Sequence, residues 1–374
     1  MPVLDRAAVD AAALTARRHA GEAERLRRLP EQVVRSLADA GMFTLCLPEA
    51  YGGPGASPVE TIDAIATVAS GDGSAGWCAG IASTTSSLAA FLPADVATKV
   101  FTSPSVATGG VFAPNGHGRV ATDGSVRVTG RWQWGSGTQH CDWIVGGARC
   151  DDGTQRICFF RSEQVDFHDT WHVAGMQGTG SLDISVSDAV VPAELTFQPM
   201  SDRPVIDEPI AQFPNFTLLA LGLAATALGV ARHALDELVD LAGAKTPQFS
   251  TRSLAQSSFT QIEHARAETR WRAARALLHD EVGRAWDAAA RGDRVDVDAR
   301  VAMRLAATHC ASESAAAVDT AWTLAGGTAV YDTSVLGRCV RDAHVVTQHI
   351  MVAPKTMETL GKHLLDVDFD PAMI

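Results

Sequence analysis

The feature that most constrains the fold is a change of hydrophobic periodicity that happens twice along the chain. Up to about residue 104, and again after about residue 206, apolar residues recur at helical spacing, as in EQVVRSLADAGMF. Between these regions, short strand-like runs are broken by turn residues, for example SVRVTGRWQW, WIVGGARC and RICFFR. Asp123-Gly124 and Asp152-Gly153 are dipeptides that favour tight hairpins. The order is therefore helical, then β, then helical.

We predict an α+β fold in three parts from this order. Residues 1–104 form an N-terminal all-α domain, residues 105–205 a middle β-barrel-like domain, and residues 206–374 a C-terminal four-helix bundle. The bundle helices are predicted at 216–243, about 252–291, about 296–326 and about 338–365. The longest apolar run, 216–231, has 16 residues, fewer than the roughly 20 that a bilayer helix needs, so it is interpreted as a core helix.

Charge and cysteine usage narrow the functional classes. The 374 residues carry 31 Lys and Arg against 43 Asp and Glu, a net charge of −12, which argues against binding of nucleic acid or of an anionic membrane surface. The seven cysteines form neither a CxxC pair nor a zinc-spaced cluster, so no metal site is predicted. Reduced thiols and an N-terminal sequence without a signal-peptide pattern indicate a cytoplasmic protein.

Five segments occur in an order and at a spacing that together identify a family. They are LADAGMFTLCLPEAYGG, GDGSAGWCAGI, GRWQWGSGTQHCDWIV, WHVAGMQGTGSLDISVSDAVVP and LAGGTAVYDTSVLGRCVRDAHVVTQH. The chain resembles the acyl-CoA dehydrogenase family over nearly its whole length. The resemblance implies that family's fold, a bound flavin and a homotetramer formed by packing of the helical bundles, although a dimer remains an alternative.

The resemblance implies that WGS and the following strand segment hold the flavin ring. Trp134 would pack beside the ring, and Ser136 would donate near N5, where charge builds on reduction. Trp171 would line the flavin or the substrate pocket, the alternative being a plain core residue. Thr179 and Ser181 would hydrogen-bond the phosphate side of the cofactor, the alternative being local turn chemistry.

Phosphate binding at the far end of the flavin is less complete than in the dehydrogenases. Gly326 and Gly327 match the paired glycines that approach the adenine or pyrophosphate of a neighbouring subunit's flavin, or they simply cap a helix. The family's pyrophosphate-binding Arg is replaced near Ala244, and Lys245 or Arg252 would have to supply the charge. FMN and FAD therefore both remain open as the cofactor.

The position of the dehydrogenase base decides between activities. The family's common carboxylate position holds Ile350, which cannot abstract a proton, and His349 precedes it. That histidine matches one in the flavin monooxygenases that share this fold, such as dibenzothiophene monooxygenase and the hydroxyphenylacetate-type hydroxylases. An imidazole that exchanges protons near neutrality suits oxygen chemistry on a flavin. His349 and Ser136 are thus the predicted catalytic residues, and an interior structural histidine is the alternative.

Three functions remain in order of preference. The first is the oxygenase component of a two-component monooxygenase, which uses reduced FMN or FAD and O2 on a small organic molecule, possibly aromatic. It would receive reduced flavin from a separate reductase, since no nicotinamide-binding GxGxxG follows a predicted strand. The second is an acyl-CoA dehydrogenase with a relocated base. The third is a degenerate flavin-binding or structural subunit. The substrate is not encoded in any motif.

Overall fold

The N-terminal region is helical, as its periodicity predicts. The computed structural model describes residues 4–199, 201–371 and 374. It begins with α1 (Arg6–Leu26), α2 (Glu31–Asp39), α3 (Pro58–Ala69), α4 (Gly73–Ser86) and α5 (Ala94–Val100). Asp5, Ser57 and Asp72 precede α1, α3 and α4, and the side chain of each accepts a hydrogen bond from a backbone N–H of the first turn. These caps fix where the three helices begin.

The middle of the described chain forms one seven-stranded sheet. Its strands are β1 (Thr108–Val120), β2 (Val126–Trp132), β3 (Trp143–Cys150), β4 (Gln155–Arg161), β5 (Asp166–His168), β6 (Asp183–Val191) and β7 (Thr196–Phe197). Their order is β5-β6-β2-β1-β3-β4-β7. β1 and β3 are parallel, whereas the other neighbouring strands are antiparallel. The α+β class predicted from the sequence is confirmed.

Both predicted hairpins are confirmed. Gly124 lies between β1 and β2, Gly153 lies between β3 and β4, and each has a φ of +82°. Only glycine adopts this left-handed conformation without strain, which explains the residue in each turn. The hairpins fix the register of β1 with β2 and of β3 with β4, and so place the β2–β3 connection, which carries Ser136, at the other end of the sheet.

Long helices return after the sheet. They are α6 (Asn215–Ala244), α7 (Ser258–Ala290), α8 (Val297–Ala325), α9 (Val335–Val346) and α10 (Thr356–Leu364). The first three match the predicted bundle helices within a few residues. The domain boundaries at 104/105 and 205/206 fall in connections between elements, and the division into separate domains stays a prediction.

The predicted fourth helix at about 338–365 is wrong as a single element. The chain leaves the helix after Val346 and re-enters one at Thr356, with turns between. Pro354 in this interval has no N–H and clashes with a helical carbonyl four residues earlier. Instead, the carbonyl of His349 accepts hydrogen bonds from Val352 and Ala353. His349 therefore lies in a turn between α9 and α10.

α6 is the central element of the molecule. α3 and α4 pack against it from the N-terminal region, and α8 and α9 pack against it within the helical region. Where α4 crosses α6, Gly80 and Gly222 face one another, and the absence of side chains lets the two backbones approach. α6 is long and apolar enough to span a bilayer, but 89% of its most apolar 18-residue window is buried in the protein. That burial agrees with the predicted core helix.

Candidate functional site

The turn between β2 and β3 presents an exposed indole. Trp134 has a φ of +66° and is 69% exposed. A positive φ is unfavourable for a bulky residue, so the surrounding structure must hold it. The Gly135 N–H donates to the Leu182 carbonyl and the Gly137 N–H to the Thr179 carbonyl, each at 2.9 Å. These bonds clamp the turn onto the segment that precedes β6 and leave the indole available to cover a flat ligand.

A chain of buried hydroxyls runs behind this turn. Ser136 Oγ lies 2.6 Å from Ser181 Oγ, which lies 2.6 Å from Thr179 Oγ1. Thr179 Oγ1 donates to the Met176 carbonyl at 2.8 Å. All three hydroxyl residues are buried. The structure thus brings together three residues that were predicted separately from the sequence. The hydroxyls of Thr179 and Ser181 are used in hydrogen bonds that lead to Ser136. The phosphate contact expected of them stays a prediction.

Trp77 joins the hydroxyl chain to the predicted catalytic histidine, and the sequence analysis did not single it out. Trp77 Nε1 donates to Ser136 Oγ at 3.0 Å. Its ring and the His349 imidazole pack edge to face, with ring centroids 5.7 Å apart. A usable signal existed in the sequence, since Trp77 is the one aromatic residue in GSAGWCAGIASTTS, which forms α4. Ser136, Trp77 and His349 therefore form one cluster.

The hydrogen bond to His349 fixes its tautomer. The Met351 N–H donates to His349 Nδ1 at 3.2 Å. A backbone N–H is always a donor, so Nδ1 must be unprotonated and the neutral ring carries its proton on Nε2. Burial lowers the pKa of His349 to about 4, and the positive charge of Arg304 adds to the effect. At neutral pH the residue is an uncharged N–H donor.

Arg304 supports the turn that carries His349. Its side chain is 2% exposed, and Nη2 donates to the Met351 carbonyl at 2.9 Å. Burial lowers the pKa of this guanidinium to about 10, which leaves it charged at neutral pH. Met351 is thus held through its carbonyl by α8 while its N–H holds the imidazole. Arg304 was also missed by the sequence analysis, because nothing in the sequence of α8 marks one arginine as buried.

Trp171 borders the same region. It is partly buried, and its Nε1 donates to the Met176 carbonyl at 3.2 Å, the carbonyl at which the hydroxyl chain ends. Asp342 accepts a hydrogen bond from the Met176 N–H on the other side. Arg341 pairs with Glu24 of α1 at 2.9 Å. The Arg-Asp pair therefore anchors α9 to α1 and to the loop at Met176, which is a structural role.

The predicted phosphate-binding residues lie elsewhere in the chain. Lys245 Nζ donates to the Ala325 carbonyl at 2.6 Å and to Thr328 Oγ1 at 2.8 Å, which places it beside Gly326. Gly326 has a φ of +60°. The length of α6 separates Lys245 from α4. Val230 of α6 lies beside Gly73 of α4, and Lys245 comes 15 residues after Val230, about 22 Å further along the helix axis.

Two more predicted residues complete this description. Gly327 follows Gly326 and has open space around it, and Arg252 is exposed in the loop between α6 and α7. Lys245, Gly326 and Gly327 thus form a second cluster, separate from Ser136 and His349 within one chain.

Two segments of the chain match models of a known protein family. Residues 4–99 match the N-terminal domain of acyl-CoA dehydrogenase, and residues 221–354 match its C-terminal domain. An indole-3-acetate monooxygenase of Pseudomonas putida is 33% identical over 91% of this chain and 88% of its own length. The chain belongs to the acyl-CoA dehydrogenase family.

Within that family, the similarity extends to oxygenases. The oxygenase subunit HsaA of a flavin-dependent monooxygenase from Rhodococcus jostii is 29% identical over 93% of this chain and 94% of its own. The crystal structure of a 3-HSA hydroxylase from Rhodococcus sp. RHA1 superimposes with a TM-score of 0.90, at 27% identity and over 98% of both chains. The monooxygenase branch of the family, predicted from His349 and Ile350, is confirmed.

Proposed function

We propose that the protein is the oxygenase component of a two-component monooxygenase, which uses reduced FMN or FAD and O2 to oxygenate a small aromatic molecule. The single observation that carries this proposal is the cluster of Ser136, Trp77 and His349, in which a hydroxyl, an indole and a neutral imidazole meet. Relatives of the chain are named as monooxygenases, one of them for indole-3-acetate, which supports an aromatic substrate.

The residues present fit a flavin ring. Trp134 offers an exposed indole face beside the turn, and the polar groups behind it are uncharged hydroxyls that can match the edge of a flavin. Reduced flavin supplies the two electrons with which O2 is activated. Ser136 would orient the ring at its N5 edge, and Trp134 and Trp77 would exclude water from it.

His349 would act as a proton-bearing donor. Because Met351 occupies Nδ1, the Nε2–H is the group that can point at a developing negative charge on oxygen or on the substrate. A neutral imidazole in this role stabilises the charge without first having to lose a proton. The dehydrogenase position offers no such group, since Ile350 is apolar and 68% exposed.

A separate reductase and other copies of the chain complete the proposal. We place the protein in the cytoplasm, where a reductase would supply the reduced flavin. We propose a homotetramer because large apolar side chains are exposed in the segments that follow Lys245 and Gly327 along the chain; they include Phe249 (100%), Phe259 (64%), Ile262 (52%), Val330 (68%) and Tyr331 (71%). Exposed apolar surface of this kind marks an interface. In the tetramer the cluster of Lys245, Gly326 and Gly327 would reach the flavin of a neighbouring copy.

The test is a coupled assay. The purified chain is mixed with an NADH-dependent flavin reductase, FMN or FAD, and a panel of indoles and phenols under 18O2, and products are examined by mass spectrometry. We expect one 18O atom in a product, formed only when both proteins are present. A parallel anaerobic assay offers acyl-CoAs with a dye acceptor. Dye reduction without 18O incorporation would establish the dehydrogenase instead.

A further inference from the structure

The hydroxyl chain behind Ser136 has a direction, because its far end is a group with a fixed role. The Met176 carbonyl only accepts, so the Thr179 hydroxyl, 2.8 Å away, donates its one proton there. Thr179 Oγ1 must then accept from Ser181 at 2.6 Å. Ser181 in turn must accept from Ser136, also at 2.6 Å. Reversal would leave lone pairs of Thr179 and the carbonyl facing each other at 2.8 Å.

The other end of the hydroxyl chain, at Ser136, agrees with this direction. An indole N–H is a donor only, and Trp77 Nε1 donates to Ser136 Oγ at 3.0 Å. Ser136 therefore donates its proton to Ser181, and one of its lone pairs accepts the proton of Trp77 Nε1. What remains is a second lone pair. Any ligand that reaches this hydroxyl meets a hydrogen-bond acceptor.

We infer that Ser181 and Thr179 are positioning residues that fix the Ser136 hydroxyl as an acceptor. As a result, the site selects reduced flavin over oxidised flavin. This inference rests on the proposed function, in which the N5 edge of a flavin lies against Ser136. N5 of a reduced flavin carries a proton and can donate to Ser136. N5 of an oxidised flavin has only a lone pair and would face another lone pair. The family resemblance implied that Ser136 donates near N5, and the direction of the hydroxyl chain gives it the opposite role.

The selection depends on residues that do not touch the flavin. In Ser181→Ala the Ser136 proton loses its acceptor and becomes free to point at N5. In Thr179→Val, which keeps the shape of the side chain, Ser181 loses its acceptor and can donate back to Ser136, with the same result. Ser185→Ala is the matched control. Ser185 lies on β6, and its hydroxyl is 2.8 Å from His168 Nε2, so it is not part of the hydroxyl chain.

The experiment measures the dissociation constants of FMN and FAD, each oxidised and dithionite-reduced, for the full-length protein under anaerobic conditions. We expect the wild type to prefer the reduced form by about tenfold, the equivalent of one net hydrogen bond. The same preference raises the midpoint potential of the bound flavin by about 30 mV. In Ser181→Ala and Thr179→Val the ratio should fall towards one, mainly through tighter binding of oxidised flavin, and Ser185→Ala should keep it.

Equal affinity of the wild type for both forms would overturn the inference, as would an unchanged ratio in folded Ser181→Ala and Thr179→Val proteins. The ratio of dissociation constants and the midpoint potential of the bound flavin are measured on the wild type. These two values can therefore refute the inference even if a variant folds poorly. Its failure is distinguishable from failure of the proposed function. Equal binding with 18O incorporation defeats only the inference, whereas binding of neither flavin form defeats the proposed function.

Discussion

At the scale of single residues, His349 is defined by the group that occupies its Nδ1. We predict that 15N spectra of histidine-labelled protein will show His349 neutral and protonated on Nε2 from pH 5.5 to 8, because its pKa is lowered to about 4. Its signals are assigned by their loss in His349→Gln. Titration near pH 6.5, or a proton on Nδ1, would refute the assignment.

His349 also leads to a prediction for turnover. His349→Ala should lower the rate of oxygenation by about 100-fold, the size expected for loss of one positioned donor, while reduced flavin still binds. Arg304→Gln removes a charge but keeps an N–H for the Met351 carbonyl, so the pKa of His349 should rise towards its ordinary value. His344→Ala is the control, since His344 is exposed and paired with Asp319.

Trp77 can be tested by a change that removes one proton donor and keeps a ring. Trp77→Phe should preserve the contact with His349 but leave Ser136 Oγ without its indole partner, at a cost of about 1 kcal/mol in the free energy of unfolding. Trp271→Phe loses an equivalent bond, from Nε1 to the Leu228 carbonyl at 3.0 Å in the bundle. Urea unfolding should respond to both variants. Turnover should fall only in Trp77→Phe, and equal losses would argue against its role in the site.

At the scale of elements, Asp342 couples α9 to the loop that ends the hydroxyl chain. Burial, together with the nearby Asp72, raises the pKa of this carboxyl to about 7. A raised carboxyl pKa means that the folded state favours the protonated form, so stability is lost as pH rises from the ordinary value towards 7. The loss comes from the buried charge and not from the hydrogen bond to Met176, which itself favours the charged form.

Asp342→Asn should consequently stabilise the protein at pH 8, by about 1 kcal/mol or more, because the amide resembles the protonated acid and still offers an oxygen to the Met176 N–H. Urea unfolding at pH 8 and pH 5 measures the effect, which should shrink at the lower pH. Asp319→Asn serves as the control, since Asp319 is about half exposed and its carboxylate pairs with His344. A destabilised Asp342→Asn protein at pH 8 would contradict the pKa assignment.

At the scale of the whole molecule, three partly or fully buried histidines make the fold sensitive to acid. Burial lowers the pKa of His140, His233 and His349 to about 4 each. Between pH 6.5 and pH 4 the unfolded chain binds these protons and the folded chain does not, so stability should fall as pH drops through that window. Asp342 and Asp72, whose carboxyl pKa values are raised by burial, work in the opposite direction, but the three histidines outnumber them. Urea midpoints at pH 7, 6 and 5 should decline steadily, and His233→Gln should flatten the decline.

The exposed apolar side chains in the segments that follow Lys245 and Gly327 predict assembly. Light scattering should give the mass of a tetramer, and Phe259→Glu with Ile262→Glu, both on α7, should yield smaller species because charges would be buried at the interface. Flavin affinity should fall in that double variant if a neighbouring copy contributes to the phosphate end. Leu14→Glu, on the outside of α1 and 53% exposed, is the control.

Local chemistry was enough to predict much of this protein. Helical periodicity predicted a helical N-terminal region and the long helices α6, α7 and α8, and the two Asp-Gly dipeptides predicted the hairpins, because these structures depend mainly on residues close in sequence. The motifs around Ser136 and His349 predicted the family, since flavin chemistry constrains residues within short segments. Pro354 was a signal for a break, but the helix-compatible segments on both sides of it favoured the prediction of one continuous helix.

Only the tertiary structure decided how these parts act together. Trp77, Ser136, Ser181 and His349 come from four separate segments, and sequence spacing cannot say that one indole touches both a hydroxyl and an imidazole. The direction of the hydroxyl chain follows from a carbonyl at its end, and the tautomer of His349 follows from one backbone N–H. Hydrogen-bond roles depend on partners brought together by folding, whereas periodicity depends on the order of residues along the chain.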